Sequence, residues 1–358
     1  RETGEPSANF NGGPSVWYSW TAPATGTYGL YGERLNKPDQ WIIVLNVFTG
    51  TAVNALTHIK EDRQNGIGRD AFARFDATAG TTYHFQVTGL DSAGIIGGVG
   101  PFRLDLRPIA EYAPENDSFA NAIELDGSPV FNFRAQNYGA SAEPGEPNHS
   151  NYAPFRSLWW KFAVPAGQSG KYAVATTLSE GDTGTTIYRA NDPANPTLGA
   201  LTQVASSVEF ANQNFPDVSW QADEGQVYYI VSDNYGGAVG RVVFNFQKVP
   251  ANITFANAKV IPAEGLTEIT YNYGSVREPG EPTTNFSPAT AGNRSLWWSW
   301  TAPASGLYSV DTIGSRLGVA EDHPISAQIG SATILGLDTI LGVYTGSLGA
   351  FTAVATNS

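Results

Sequence analysis

Several residue groupings in the chain could do chemistry. Glu143 and Glu146 flank a Pro-Gly turn, and two carboxylates facing one bond are the equipment of glycoside hydrolysis. The pair recurs as Glu2 with Glu5 and as Glu278 with Glu281, each time in a Glu-x-Gly-Glu-Pro loop. That recurrence marks a structural turn, because a catalytic pair has no reason to stand in every copy. The histidines are His58, His84, His149 and His323, and none has a partner at metal-ligand spacing. His84 falls mid-strand and reads as packed or exposed. Serines are many, but no Gly-x-Ser-x-Gly elbow occurs. The glycine run from Gly94 to Gly100 lacks the strand-to-helix setting of a phosphate cradle. With no cysteine there is no disulfide framework, no thiolate metal site and no thiol nucleophile. No catalytic constellation stands out. The remaining candidates are three tryptophans, Trp17, Trp159 and Trp297, whose flat rings could meet a sugar, a neighbouring domain or another chain.

These tryptophans lie in a stretch that occurs three times: Ser15-Val16-Trp17-Tyr18-Ser19-Trp20-Thr21-Ala22-Pro23, Ser157-Leu158-Trp159-Trp160-Lys161-Phe162-Ala163-Val164-Pro165, and Ser295-Leu296-Trp297-Trp298-Ser299-Trp300-Thr301-Ala302-Pro303. Side chains alternate along a strand. Val16, Tyr18 and Trp20 therefore share a large apolar face that should point into a core, as do Leu158, Trp160 and Phe162, and Leu296, Trp298 and Trp300. The other face is small or polar except for one Trp, which either contacts something outside or is covered by a loop of its own domain. Proline ends each strand, and Gly26-Tyr28, Gly170-Tyr172 and Gly306-Tyr308 then read as turns into the next.

The composition fits short strands joined by tight turns, with 39 Gly, 22 Pro and 12% aromatic residues, and long amphipathic helical patterns are missing. The net charge of −13 argues against nucleic acid, which needs a basic face, and against anionic membrane surfaces. No run is long enough to span a bilayer, so membrane insertion is not expected.

The acidic loop returns at intervals of about 140 residues, an ordinary domain size. The sequence therefore reads as all-β, with tandem jelly-roll-like β-sandwich domains over 1–110, 113–249 and 252–358. Strand-like runs follow in order: Trp41 to Phe48, His84 to Thr88 and Phe102 to Leu106 in the first copy, then Thr186 to Arg189, Val227 to Ser232 and Val242 to Phe246 in the second. The third carries an insertion around Leu317 to Gly336. Only the middle copy reads as complete: the first lacks a first strand and the third its last ones. The chain is then either a window on a longer array or a protomer whose end domains are completed by strands from neighbours.

The order Asn-Asp-x-Phe-x-x-Ala, Glu-x-Gly-Glu-Pro, Ser-(Leu/Val)-Trp-(Trp/Tyr)-x-Trp-Thr-Ala-Pro, Asp-Thr-x-Leu-x-Val-Tyr-Thr-Gly and Ala-Thr-Ala-Gly-Thr-Thr-Tyr resembles the bacterial pre-peptidase C-terminal (PPC-like) domains, over nearly the whole chain. The resemblance implies a non-catalytic jelly-roll sandwich, secreted or on the cell surface. It also implies calcium held by acidic residues at the domain start, where Glu115, Asn116 and Asp117 stand here. The third copy has Ala251-Asn252-Ile253 at that position and lacks the carboxylates. No other cofactor is expected. The functional reading is a structural or adhesive extracellular repeat protein, a stalk, filament, surface layer or matrix component. Its partners would be copies of itself or further repeats of the same chain. The alternative is a carbohydrate- or collagen-binding module of a secreted enzyme, with polysaccharide or matrix protein as the partner.

Overall fold

The structure is a computed structural model, and it describes residues 3–6, 14–35, 41–63, 71–91, 98–176, 179, 183–208, 217–234, 239–282, 294–313, 315 and 339–357. Among these residues every regular element is a strand or a short 3-10 turn, and no helix is long and apolar enough to cross a membrane. The expected insertion around Leu317 to Gly336, and His323 within it, lie outside the described residues.

The first copy contributes β1 (Ser15–Thr21), β2 (Gly26–Arg34), β3 (Trp41–Thr49), β4 (Thr57–Arg63), β5 (Ala71–Ala77), β6 (Thr82–Asp91) and β7 (Phe102–Pro108). They form two sheets, ordered β1-β6-β3-β4 and β5-β2-β7. The second copy contributes β8 (Ile123–Leu125), β9 (Val130–Gln136), β10 (Leu158–Ala163), β11 (Gly170–Ala175), β12 (Thr183–Ala190), β13 (Leu201–Val208), β14 (Asp217–Ala222), β15 (Val227–Asn234) and β16 (Arg241–Lys248). Its sheets run β13-β12-β15-β10-β8 and β14-β11-β16-β9. Superposing the two orders equates β1 with β10 and β7 with β16. The second copy then has two additional edge strands: β8, parallel to β10, and β9, antiparallel to β16. In the third copy the described strands are β17 (Lys259–Val260) parallel to β18 (Trp298–Ser299), and the hairpin β19 (Leu341–Ser347) with β20 (Ala350–Asn357).

Each sandwich closes over an apolar layer, as expected for two half-hydrophobic sheets. In the second copy Leu158, Trp160 and Phe162 of β10 are 0, 1 and 0% exposed, and Trp160 lies flat on Phe244, 4.0 Å between ring centroids. Burying side chains of this size contributes about 1.5–3 kcal/mol each. The inward face expected in the first copy is corrected: Trp20 packs on Tyr28, Phe75 and Tyr83, but Val16 and Tyr18 are 47 and 42% exposed. The reason is topological. β1 is an edge strand, and no described strand covers it as β8 and β9 cover β10. In the third copy Trp300 is likewise exposed, because no described strand forms a second sheet over it.

One detail recurs in all three copies. The hairpins β3–β4, β12–β13 and β19–β20 each carry a register shift at the same place, between Val47 and Phe48, Ile187 and Tyr188, and Val343 and Tyr344. A bulge there sharpens the local twist and re-aims a side chain. The re-aimed aromatic belongs to the site described next.

Candidate functional site

The repeated acidic loop folds back over the repeated tryptophan. Its glycine sits at positive φ in each copy, 90° at Gly4, 87° at Gly145 and 92° at Gly280, a conformation that L side chains rarely adopt. The tight turn brings the second glutamate against the Trp strand. In the first copy Ser15 Oγ and Trp17 Nε1 both donate to Glu5 Oε1, each at 2.9 Å. In the third, Ser295 Oγ and Trp297 Nε1 donate to Glu281 Oε1 at 2.7 and 3.3 Å. The first glutamate of the loop is also engaged: Phe119 N–H donates to Glu143 Oε2 at 2.5 Å, and Phe255 N–H to Glu278 Oε2 at 2.6 Å. The carboxylate pair is thus held on protein hydrogen bonds, which makes the loop a structural turn.

The second copy departs from this pattern. His149 sits between the loop and the strand, with Nε2 2.9 Å from Glu146 Oε1 and 3.3 Å from Ser157 Oγ. Tyr188 O–H donates to the carbonyl of Asn148, and His149 Nδ1 lies 3.0 Å from the Tyr188 oxygen. A Ser-His-Glu grouping is therefore present, but it is not wired for attack. A nucleophilic triad places serine and acid on opposite ring nitrogens, whereas here both meet Nε2 and Ser157 is fully buried.

The same geometry corrects the reading of Trp159 as an external contact. It is 0% exposed, with Phe119 edge-on at 5.5 Å and His149 edge-on at 5.7 Å. Tyr188, the aromatic after the bulge, lies 6.3 Å away. Its face is covered by its own copy and can reach no ligand or neighbour. With His149 interposed, Trp159 Nε1 has no hydrogen-bond acceptor. Trp17 and Trp297 are half-buried, the one against Phe48 at 5.6 Å, the other stacked on Phe351 at 5.4 Å with Phe255 edge-on.

The residues proposed for calcium diverge. Glu115 is exposed, while Asn116 is buried and clamps the Trp strand: Asn116 Nδ2 donates to the Trp159 carbonyl at 3.1 Å, and Trp159 N–H donates to the Asn116 carbonyl at 2.9 Å. Asn252 makes the same two bonds to Trp297, although its copy lacks the flanking acids. Asp117 accepts from the Ser141 N–H, and burial raises its pKa. Among the described residues no group of three or more acids or histidines could hold a metal ion.

A second constellation lies at the junctions between copies. Tyr138, just after β9, enters the first copy between Tyr31 at 4.6 Å and Phe72 at 5.3 Å. Gly139 follows it because a Cβ there would lie 2.2 Å from the Tyr112 carbonyl carbon. Arg156 donates to the Tyr138 carbonyl and faces the charge of Asp62 on β4. One copy later the same positions act again. Gly274, after Tyr273, leaves no room for a side chain against Val249, and its N–H donates to Asp217 at the start of β14. Arg294, the counterpart of Arg156, grips both oxygens of that carboxylate. Phe131 adds a stack on Tyr271. None of these residues was singled out from sequence, yet Asn-Tyr-Gly and Arg-Ser-Leu-Trp-Trp both recur one copy apart.

No family model matches this sequence, and no curated protein matches it. Among solved structures the chain is similar to the N-terminal CBM22-1–CBM22-2 tandem domain of Xyn10C from Paenibacillus barcinonensis, at 11% identity over 67% of this chain and 83% of that one, with a TM-score of 0.17. It is similar to the PBSX exported protein XepA, at 9% identity over 66% of this chain and 82% of that one, TM-score 0.16. It is also similar to truncated AlyQ with CBM32 and alginate lyase domains, at 9% identity over 66% and 90%, TM-score 0.17. Likenesses of this order carry no functional argument.

Proposed function

We propose that the chain is a stretch of PPC-like repeats from a secreted or cell-surface protein, with a structural, non-catalytic role as a stalk, filament or matrix component. The observation that carries this reading is the reuse of one junction. The Asn-Tyr-Gly turn of each following copy closes on the copy before it, Gly139 against Tyr112 and Gly274 against Val249 and Ala173, with Tyr138 packed on Tyr31 at the first junction and Arg294 gripping Asp217 at the second. A chain of independent binding modules has no need to couple neighbours by one rule, whereas an array that bears load does, since its stability is the sum of unit and interface terms.

Small-angle scattering on the full chain tests it. The wild type should give one rigid particle, and the pair Tyr138→Ser with Arg294→Ala should give flexibly linked units with unchanged strand content. Flexible units in the wild type would defeat the structural reading.

A second reading, binding to polysaccharide or matrix protein, rests on other aromatics than the tryptophans. Tyr152 and Phe155 are 36 and 48% exposed, on a loop pinned by paired backbone hydrogen bonds between His149 and Tyr152 and by Asp233 accepting from the Phe155 N–H. Retention on insoluble glycans or collagen that is lost in Tyr152→Ala and Phe155→Ala would favour this reading over the first.

A further inference from the structure

We infer that His149 is a proton-operated latch: on taking up a proton it tightens the loop of residues 148–156 and, through that loop, the junction between the first and second copies. The imidazole is 4% exposed and the Glu146 side chain beside it 0%. Both Glu146 oxygens are engaged, Oε1 with His149 Nε2 at 2.9 Å and Oε2 with the Glu143 N–H at 2.7 Å. On the other side of the ring Nδ1 lies 3.0 Å from the Tyr188 oxygen, which is 2.7 Å from the Asn148 carbonyl. Proton counting separates the two charge states. With a proton on each ring nitrogen, Nε2–H serves Glu146, Nδ1–H serves Tyr188, and Tyr188 O–H serves Asn148, all at once. A neutral ring holds one proton. If it stays on Nε2, the Tyr188 hydroxyl serves either Nδ1 or the Asn148 carbonyl and leaves the other. If it moves to Nδ1, a bare Nε2 faces a carboxylate. Histidine is the side chain whose ordinary titration falls between about pH 5 and 8. The titratable groups around the ring are Glu146 on its own loop, Tyr188 on β12 and Asp233 on β15, which feels the charge of His149. Asp117 acts on Glu146 in turn, and Arg156 faces Asp233.

Contiguous contacts carry the state of the ring to the junction. His149 and Tyr152 exchange both backbone hydrogen bonds, each 2.8 Å, across Ser150 and Asn151, which take left-handed φ of 51° and 74°. Ser150 Oγ is tied to Thr186 Oγ1 at 2.9 Å. Left-handed backbone at non-glycine residues is strained and persists only where its surroundings hold it, so this hairpin depends on its anchor at His149. The loop then reaches Asp233, which accepts the Phe155 and Arg156 N–H groups. Arg156 Nη1 donates to the Tyr138 carbonyl at 2.9 Å, and Tyr138 sits between Tyr31 and Phe72 of the first copy. The second junction is a control within the same chain. No histidine stands between Glu278 and Ser295, and Glu281 there accepts directly from Ser295 and Trp297. One joint of the array is thus proton-sensitive and the next is not. The inference rests on the junctions that carry the structural reading, and adds their control by pH.

The test uses the full chain between about pH 8 and about pH 5. NMR follows the His149 ring, assigned by its loss in His149→Gln. It also follows hydrogen exchange of the Tyr152, Phe155 and Arg156 amides, expressed as protection so that the intrinsic pH dependence of exchange drops out. The ring should titrate inside this interval. Protection of the three amides should rise about tenfold with the same midpoint, the worth of one charge-assisted hydrogen bond. The Gly274 amide, which donates to Asp217 at the second junction, should show no such rise. His149→Gln stays neutral and should abolish the rise. Protonation of Asp233 acts in the opposite sense, because it weakens the acceptor of two of these amides, and it continues in His149→Gln, so the variant's profile separates the two. A ring that does not titrate in the interval, or protection that does not follow it, overturns the inference, and both are read on the wild type. An equal rise in His149→Gln or at Gly274 also overturns it. Scattering decides the structural reading separately. A rigid particle with a flat protection profile keeps that reading and removes the latch, whereas flexible units with a titrating, tightening loop do the reverse.

Discussion

The ring of Phe131 lies on that of Tyr271 across the boundary between the second and third copies, 3.7 Å between centroids and 16° from parallel. Phe131 can reach outward because Asn132 takes a left-handed φ of 55°. Two residues of β9, Phe131 and Asn132, oppose one of β16 between the pairs Phe133–Phe244 and Val130–Phe246. The bulge leaves Val130 and Phe133 against the core and turns Phe131 away from it. Asn132 is held there by its N–H donating to Asn245 Oδ1 at 2.9 Å. A double-mutant cycle of Phe131→Ala with Tyr271→Ala should give a coupling of about 0.5–1.5 kcal/mol in thermal or denaturant unfolding. Asn132→Gly should keep that coupling. Asn132→Val should cost about 1–3 kcal/mol and abolish it, since a β-branched residue resists left-handed φ.

Trp159 gives a prediction of the opposite kind. Buried against Phe119, His149 and Tyr188, it should cost about 3–5 kcal/mol when replaced by alanine, the range for large-to-small changes in a core. Denaturant unfolding followed by circular dichroism would measure the loss. Retention on glycans should be unchanged while the protein stays folded. His149→Ala should restore an acceptor to Trp159 Nε1 if Glu146 then takes the position that Glu5 and Glu281 hold, and a shift of the indole N–H resonance would report it.

Much of this architecture was legible from residues alone. The thrice-repeated Trp stretch and the Glu-x-Gly-Glu-Pro loop set the repeat, and β3, β6, β7, β12, β15 and β16 fall where strand-like runs stand. Alternation also placed Leu158, Trp160 and Phe162 correctly in the core. It failed at Val16 and Tyr18 because alternation names a face and says nothing of what covers it. It failed for Trp159 because both faces of a central strand can be buried, one by the facing sheet and the other by the loop carrying Glu146 and His149. The junctions were harder still. Tyr138, Arg156 and Asp62 lie far apart in sequence and read singly as a turn tyrosine, a surface arginine and a surface acid. The tyrosine and the arginine recur at Tyr273 and Arg294, but that they lie at a junction, with Asp62 near the first and Asp217 in the second, shows only once the copies are placed in space.

Calcium should have little effect on the second copy. Asn116 is committed to the Trp159 backbone and Asp117 to Ser141, with Glu115 in solvent. Thermal melts with EDTA and with millimolar-range calcium should therefore coincide. A site bound tightly enough to matter would raise the melting temperature with calcium concentration, since a ligand that binds only the native state stabilises by mass action. Asn116→Ala should lower the melting temperature equally with and without calcium, because it removes the strand clamp.

Acid should stabilise this protein before it harms it. Burial raises the pKa of Asp62, which accepts the Phe72 N–H beside the first junction, and burial does the same to Asp233, which accepts the Phe155 and Arg156 N–H groups. Asp117 shifts in the same direction for the same reason. A carboxyl whose pKa is higher in the folded state than in the unfolded chain binds protons more readily when folded. Its contribution is therefore fully present below the unfolded value of about 3.9 and is lost as pH rises through the folded value. The opposite shifts, at Asp126 and Glu268, belong to groups near the surface, where screening makes them small. Lowering the pH from about 7 toward about 5 also relieves the repulsion within a chain of net charge −13. The melting temperature should rise over that interval. Asp62→Asn together with Asp233→Asn should flatten the rise without erasing the part due to net charge. A melting temperature that falls steadily from pH 7 to pH 5 would show that ionised, paired carboxylates govern the native state instead.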